Sequence, residues 1–286
     1  MNSIRKETFL MSPHLQDAIN YIVRQRPFSK DILHSYKTFL QLMEDIPVTV
    51  PEVWEKESLR RLKKDEGFPL FSRENLPVDF GGATRALSRI MEHLCQDKKT
   101  QETEALQACL KKINEDKDWA KSVFSAILNK DHPAINKKAK EVGLQTERLY
   151  FLAKLSLKPS LDAIRSACSS NLDKQAWDYG YCPICGSEPN MGYLDKKGKR
   201  HLHCELCGEE WTYPRLNCPF CKNEDQQALG YFHSEGEQGL RVYFCRVCKR
   251  YIKTVDRREF ELETPMDLEY LATLHLDILA EKEGFE

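Results

Sequence analysis

Several features that would assign this chain of 286 residues to a familiar class are missing from it. No run is long and apolar enough to span a membrane, and the N-terminus lacks a signal peptide's apolar core, so we expect a soluble, cytoplasmic protein. The formal net charge is only −1, which argues against a protein that coats nucleic acid. The length exceeds that of a typical single domain and favours two or three domains.

Catalytic motifs are also missing from the first 170 residues. This part contains no Glu-x-x-His, no His-Glu-x-x-His and no phosphate-binding glycine loop. Its three cysteines, Cys95, Cys109 and Cys168, are isolated from any second ligand, and we interpret them as buried thiols that act as small hydrophobes. We therefore predict that the chain is not an enzyme and that this part is architectural or adhesive.

Hydrophobic residues in this first part recur about every 3.6 positions, which predicts helices nearly throughout. The predicted helices are His14–Arg24, one that follows Ser29, one from Pro51 to about Lys64, Ala83–Gln96, Thr103–Ile113, Trp119–Leu128, Ala134–Glu141 and Thr146–Ser169. The last of these must bend or break near Pro159, because proline cannot continue the hydrogen-bond ladder.

One apolar loop, residues 65–82, interrupts the helices and contains two prolines. Exposure of its apolar residues would be costly unless they covered a core or a partner; they are Phe68, Leu70, Phe71, Val78 and Phe80. We favour packing across helix ends over contact with a partner. Further along, Trp177 and Tyr179 are expected to cover the start of the cysteine region against the helical part.

Cysteine, in contrast, is plentiful, and eight of the 11 cysteines form four Cys-x-x-Cys pairs. The pairs are Cys182/Cys185, Cys204/Cys207, Cys218/Cys221 and Cys245/Cys248. Each such turn places two thiolates on one side of a tight loop, and two turns complete a tetrahedral sulfur shell for zinc or iron. The pattern predicts two metal ions per chain. A disulfide scaffold is disfavoured, since such scaffolds are usually short and secreted.

The segments between the pairs predict which turns meet. Residues 186–203 and 222–244 are each predicted to form a β-hairpin, and a hairpin brings its two ends together. The first pair should therefore meet the second, and the third should meet the fourth. A further strand follows each set, over Glu210–Leu216 and Tyr251–Val255, so the region is an internal duplication. An interleaved cross-brace would require the hairpins to splay.

The residues around the two predicted sites differ in charge. Gly186 and Gly208 follow the pairs of the first site and permit positive φ, whereas Lys222 and Lys249 occupy those places at the second. Together with nearby Arg246, Arg250 and Lys253, these lysines form a positive rim that would offset thiolate charge. We expect His201, His203 and His233 not to serve as ligands. After Thr264, a single helix to about Lys282 should dock back, with His275 as a hydrogen-bonded core residue and Ile278 on the same apolar stripe.

The four-pair core and the last helix resemble the FdhE family, the accessory proteins of formate dehydrogenase. The matching stretches are Cys182-Pro-Ile-Cys-Gly-Ser-Glu-Pro189, His201-Leu-His-Cys-Glu-Leu-Cys207, Trp211, Asn217-Cys-Pro-Phe-Cys221, Cys245–Lys253 and Leu268–Phe285. The resemblance implies a helical domain followed by two rubredoxin-like modules. It also implies a cytoplasmic factor that binds the catalytic subunit of a respiratory formate dehydrogenase before export, and it carries the family's iron-binding role to all eight paired cysteines.

These considerations predict a multidomain α+β chain. Residues 1–176 form the helical domain, 177–216 and 217–260 the two metal modules, and 261–286 the C-terminal helix. Two other functions stay open: a zinc-ribbon nucleic-acid binder, suggested by the basic run from Lys196 to Arg200, and a rubredoxin-like electron carrier. The two predicted metal ions are iron or zinc.

Overall fold

The computed structural model describes residues 14–49, 57–96, 103–169 and 177–286. These residues contain eleven α-helices and six β-strands. They follow in the order α1 (His14–Gln25), α2 (Lys30–Met43), α3 (Glu57–Asp65), α4 (Phe80–Gln96), α5 (Thr103–Glu115), α6 (Lys117–Leu128), α7 (His132–Val142), α8 (Thr146–Ser156), α9 (Lys158–Ser169), β1 (Pro189–Leu194), β2 (Arg200–Cys204), β3 (Glu210–Thr212), β4 (Leu229–Phe232), β5 (Leu240–Cys245), β6 (Tyr251–Asp256), α10 (Met266–Ala272) and α11 (Leu274–Lys282). The predicted α+β class is confirmed.

The described residues group into two compact units by their contacts. The first contains residues 38–49, 73–96 and 103–166, and the second contains 14–37, 57–72, 167–169 and 177–286. In the second unit a buried ion pair, Arg26 Nη1 to Glu269 Oε2 at 2.8 Å, joins the end of α1 to α10. The four-part division of the chain stays a prediction.

The helices of the first unit follow from their apolar spacing and their caps. The buried face of α4 is formed by Gly82, Ala83, Ala86, Leu87, Ile90 and Met91. Asp116 accepts a hydrogen bond from the Asp118 amide at the start of α6, and Asp131 accepts one from Ala134 at the start of α7. Such N-cap bonds satisfy amides that have no partner within the helix. Gly143, with φ of 74°, ends α7 in the left-handed conformation that favours glycine.

Most helix boundaries predicted from the sequence lie within a few residues of those observed. The long C-terminal helix of the first part breaks after Ser156 and resumes at Lys158, close to the predicted break at Pro159. Helix α4 begins at Phe80, three positions earlier than predicted. The predicted start of the third helix at Pro51 lies outside the described residues.

The two cysteine modules share one six-stranded sheet with the strand order β3-β2-β1-β6-β5-β4. Within each module the strands are antiparallel, as the two predicted hairpins require. The junction between the modules is parallel and pairs β1 with β6, from Met191 opposite Lys253 to Leu194 opposite Asp256. The last strand of the second module therefore lies against the first strand of the first module.

The sheet is covered on one face by the C-terminal helices. Met191, Val242, Val255, Met266 and Leu276 belong to one buried cluster that joins β1, β5, β6, α10 and α11. The predicted C-terminal helix is present and packs on the sheet, but it is not continuous to Lys282, because the chain breaks at Thr273 between α10 and α11. Ile278, predicted on the buried stripe, is 57% exposed.

Candidate metal centres

All four Cys-x-x-Cys turns have the same backbone hydrogen bonds. In each, the amide of the residue after the second cysteine donates to the carbonyl of the first cysteine, at 2.9–3.3 Å. The amide of each first cysteine also donates to the carbonyl five positions later. The donors to the first set of carbonyls are Gly186, Gly208, Lys222 and Lys249. The duplication predicted from the sequence thus extends to the backbone bonds.

The residue that closes each turn has positive φ. The values are 69° for Gly186, 70° for Gly208, 60° for Lys222 and 61° for Lys249. Left-handed backbone costs a residue with a Cβ about 1–2 kcal/mol, whereas glycine adopts it freely. The turn geometry therefore prevails over local preference at the second centre, which holds two strained lysines.

The first centre brings together Cys182, Cys185, Cys204 and Cys207. All four are buried, and their Sγ atoms lie within 4.8 Å of one another. The Sγ–Sγ distances are 3.5 Å for Cys182–Cys207, 3.5 Å for Cys185–Cys204 and 3.7 Å for Cys185–Cys207. Backbone amides of Ile184 and Leu206 each lie 3.4 Å from a sulfur atom and point hydrogen toward it.

These distances fit a metal ion. Tetrahedral bonds of about 2.3 Å to sulfur imply edges of about 3.8 Å between sulfur atoms, while a disulfide requires about 2.05 Å. All eight paired cysteines are free thiols at the observed separations. Each cluster could therefore hold one metal ion, and the predicted pairing of the four turns is confirmed.

A strap formed by residues 66–72 covers the first centre. The amides of Leu70 and Phe71 donate to the carbonyls of Pro183 and Ile184, each at 2.9 Å. Both acceptors lie between the two cysteines of the first turn, so the strap pairs with the turn as a short strand would. This contact shows where part of the predicted apolar loop packs, although Phe68 remains 63% exposed.

Aromatic residues before the first cysteine hold the strap in place. Tyr181 donates from its hydroxyl to the Gly67 carbonyl at 2.6 Å, and its ring packs against Trp177 and Tyr179. The Tyr179 carbonyl accepts a 3.0 Å hydrogen bond from Trp211 Nε1 on β3. Trp177 and Tyr179 therefore cover the first module, with the strap residues packed beside them.

The second centre gathers Cys218, Cys221, Cys245 and Cys248, and it is more open than the first. Their Sγ atoms also lie within 4.8 Å of one another. The Cys218–Cys248 and Cys221–Cys245 Sγ distances are both 3.7 Å. Cys218 and Cys245 are buried, but Cys248 is partly accessible and Cys221 is exposed.

Burial raises the pKa of some of the clustered thiols at both centres. It raises the pKa of Cys182 and Cys207 well above the ordinary value, because desolvation disfavours the thiolate, and it raises the pKa of Cys218 to about 12. A metal ion binds thiolate and displaces these protons, so its binding is coupled to proton release.

The predicted positive rim is only partly correct. Lys222, Arg246 and Lys249 are exposed around the second centre. Arg250 forms a bidentate ion pair with Glu188, at 2.7 and 3.1 Å, and its guanidinium lies 3.7 Å from the centroid of the Phe220 ring. The exposed part of the rim therefore consists of the two lysines and one arginine.

Lys253 does not belong to the rim, and its predicted placement there is wrong. It is 1% exposed, and its Nζ lies 2.7 Å from Asp277 Oδ2 of α11. The same ammonium donates to the Tyr270 and Thr273 carbonyls, both at 3.3 Å. The Tyr270 carbonyl also accepts the Thr273 amide at 3.4 Å, and the Thr273 carbonyl accepts the Leu276 amide at 3.0 Å, so both carbonyls lie at the point where one helix ends and the next begins. Lys253 therefore binds the break between α10 and α11.

Among the described residues, no histidine nitrogen belongs to either sulfur cluster. His201 contacts Asp195 at 3.2 Å, His203 contacts Asn190 at 3.1 Å, and His233 Nδ1 lies 3.0 Å from the Ser234 carbonyl. His275 is hydrogen-bonded as predicted, at 2.8 Å from Glu237, and is partly buried. Each contact is therefore local to the sheet or to its covering helices.

The three cysteines outside the Cys-x-x-Cys pairs occupy helices of the described part. Cys109 and Cys168 are buried as expected, whereas Cys95 is partly accessible. Desolvation raises the pKa of Cys109 to about 12 and also raises that of Cys95. Both shifts favour the neutral thiol.

Comparisons with known proteins agree with this architecture. A family model described as "FdhE, central domain" matches residues 181–215, which contain the first centre. The "Protein FdhE homolog" of Aquifex aeolicus is 34% identical over 149 residues, which are 51% of this chain and 52% of that protein. The homolog of Pseudomonas putida is 27% identical over 256 residues, which are 86% of this chain and 74% of that protein.

A crystal structure titled as the FdhE protein from Pseudomonas aeruginosa superposes with a TM-score of 0.64, at 22% identity, over 97% of this chain and 94% of that one. The predicted resemblance to the FdhE family is confirmed.

Several of the sequence matches cover only part of the relatives. The chain spans about half the length of the Aquifex relative and 36% of the Stutzerimonas stutzeri relative, which is 37% identical over 117 residues. The structural likeness to the Pseudomonas aeruginosa FdhE protein shows a common fold. No helix in the described ranges has the length and hydropathy needed to cross a membrane.

Two features of the centres were missed by the sequence analysis. The strap pairs with a turn more than a hundred positions away, and backbone pairing of this kind leaves no pattern in side chains. Arg200, predicted only as the end of a basic run, is a buried residue at the first position of β2. The sequence did contain a signal for this position, because Arg200 directly precedes the alternating apolar residues of β2.

Proposed function

We propose that this chain is a cytoplasmic accessory factor that binds the catalytic subunit of a respiratory formate dehydrogenase and assists its assembly before export, without catalysing a reaction. The observation that carries the proposal is the pair of four-cysteine clusters with tetrahedral spacing, in a fold shared with an FdhE protein. The eight cysteines are the proposed ligands of two metal ions, iron or zinc. Zinc would stabilise the hairpins, and iron would add one-electron chemistry.

The proposed contact surface for the enzyme subunit surrounds the second centre. Lys222, Arg246 and Lys249 provide exposed positive charge there, and Val247 between them is 63% exposed. An apolar residue within a positive rim suits a partner segment that is acidic at its edges and apolar at its middle. The exposed Phe68 of the strap is a second candidate contact.

Charge reversal at Arg246 tests this surface. We expect Arg246→Glu to weaken binding of the catalytic subunit by about tenfold, mainly through slower association, since rim charges act on encounter. Metal content should stay at two ions per chain. Lys137→Glu on α7, an exposed lysine of the first unit, is the matched control and should bind normally. Lys253 is unsuitable, since reversing a buried charge would disrupt folding.

Two outcomes would contradict the proposal at different levels. Unchanged affinity of Arg246→Glu with intact metal would remove the rim from the contact surface and leave Phe68. Failure of the wild-type chain to bind any formate dehydrogenase subunit, in surface plasmon resonance and in native pull-downs, would remove the accessory function itself.

The basic run from Lys196 to Arg200 gives little support to the nucleic-acid-binding alternative. Arg200 is buried, and Lys196 donates to the carbonyls of Arg257 and Phe260 at 2.6 and 2.7 Å. Lys196, Lys197 and Lys199 are the exposed cations of this run. A salt titration separates the alternatives, because affinity for nucleic acid falls steeply with salt. An electron carrier would instead exchange electrons with a redox partner through an iron-loaded centre.

A further inference from the structure

Arg200 lies at the junction between the two modules. It begins β2 of the first module, and its backbone carbonyl accepts a hydrogen bond from the Tyr213 amide at 3.1 Å. Its Nη1 lies 3.4 Å from the Arg215 carbonyl, at the end of the first module, and 3.0 Å from the Asn217 carbonyl, at the start of the second. Asn217 immediately precedes Cys218, so the guanidinium lies beside the second centre.

The surroundings of this guanidinium are aromatic. Its Cζ lies 6.0 Å from the ring centroid of Tyr213 and 5.6 Å from that of Tyr243. Tyr213 also donates from its hydroxyl to the Cys218 carbonyl at 3.1 Å, which links the same ring to the cluster. A cavity of about 30 Å³ is lined by Arg200, Tyr243, Cys218 and Cys245 together. Arg200 and two cysteines of the second cluster therefore line one cavity.

Arg200 lacks an acidic partner. It is 4% exposed, and among the described residues no carboxylate forms an ion pair with it. Its Nε has no hydrogen-bond partner within the described structure. A buried charge without a counter-charge is costly, and burial lowers the pKa of Arg200 to about 10.

We propose that Arg200 is a positioning residue of the second metal centre and supplies its buried counter-charge. A divalent ion with four thiolates carries a net charge of −2, which is the acidic partner that the guanidinium lacks. Arg246 is exposed and screened by solvent, so its effect on the cluster is smaller. The proposal rests on the metal binding proposed above. It makes loading of the second centre depend on a residue of the first module.

The experiment compares Arg200→Met with Arg246→Met, since each removes one positive charge near the same cluster. Metal-free chain is loaded with Co²⁺, whose absorption reports sulfur coordination, and the affinity of each centre is measured by competition with a chelator. In Arg200→Met we expect one of the two affinities to fall by on the order of tenfold, independently of salt. In Arg246→Met the fall should be less than about twofold and should disappear at high salt.

A second measurement separates electrostatic stabilisation from a purely structural role. Metal binding and the charge of Arg200 are linked, so thermal unfolding of Arg200→Met should show a larger loss in the loaded form than in the metal-free form. Arg200→Lys, which keeps the charge, should recover much of the Co²⁺ affinity. Equal losses in both forms, or equal affinities of Arg200→Met and wild type, would overturn the proposal.

The centre affected is identified with Cys221→Ser, which removes an exposed ligand of the second cluster. In that background Arg200→Met should leave the remaining Co²⁺ affinity unchanged, and a fall there would contradict the assignment. If Arg200→Met does not fold, Arg200→Lys carries the test, because a charge-dependent effect predicts an affinity closer to wild type than to Arg200→Gln. If wild type binds fewer than two ions, the metal sites of the proposed function fail, irrespective of Arg200.

Discussion

The two cysteine centres share one backbone design but differ in what surrounds them. At the first, four buried cysteines lie beneath a strap, and glycines close both turns. At the second, Cys221 is exposed and lysines close both turns in left-handed backbone. The comparison teaches that the sulfur geometry is set by the turn and its hairpin, whereas access and charge are set by neighbouring segments. Equal ligand sets can therefore differ in lability.

The largest effect is expected from removing a ligand of the covered centre. Cys204→Ser should unfold the first hairpin, because structural metal supplies about 10–16 kcal/mol in small modules. Cys221→Ser should lower the free energy of unfolding much less, since Cys221 is exposed to solvent. Amide hydrogen exchange across β1–β3 and β4–β5 measures both. Equal loss of amide protection in the two variants would contradict the expected difference between the two centres.

The helices of the first unit provide the control for that experiment. Their signal in far-ultraviolet circular dichroism should persist in Cys204→Ser. Its disappearance together with the metal would show that the helical part does not fold independently.

Metal release should give the next largest difference. We expect a chelator to remove the ion of the second centre at least about tenfold faster than that of the first, because local exposure of a ligand allows attack without opening the fold. Chains loaded with ¹¹³Cd should give two resonances that decay at different rates. Synchronous decay would mean that the strap gives the first centre no protection.

The smallest effect concerns the residues that close the turns. Lys249→Gly should raise the free energy of unfolding by about 0.5 kcal/mol, since relief of positive φ outweighs the added chain entropy. Gly186→Ala should lower it by about 1–2 kcal/mol, because its φ is 69° and its Cβ would lie 3.1 Å from Pro69 Cγ. Thermal unfolding of metal-loaded chains tests both signs.

Local pattern accounts for what the sequence could predict. Cysteine spacing and hairpin length determine which turns meet, and caps such as Asp131 and Gly143 mark helix ends within a few residues. Strand β3 ends earlier than predicted, before Pro214, which has no amide hydrogen to donate.

What the sequence could not supply depends on long-range burial. Strand β6 is central in the sheet and covered on both faces, so alternation does not distinguish an exposed lysine from Lys253. The break at Thr273 has no proline or glycine to mark it, because it is stabilised by that same lysine from a distant strand. The parallel junction of β1 with β6 joins main chains and likewise leaves no side-chain signature.

That junction has a consequence for symmetry. The two modules meet through unlike edges, so they are related head to tail, as subunits are in a heterologous interface, and not by a two-fold axis. A two-fold arrangement uses up its contact surface when two copies meet, but a head-to-tail arrangement always leaves one unused edge of each kind. Here the unused edges are the strands at the two ends of the sheet, β3 and β4. Strands β3 and β4, of three and four residues, are too short to offer a long template for another strand.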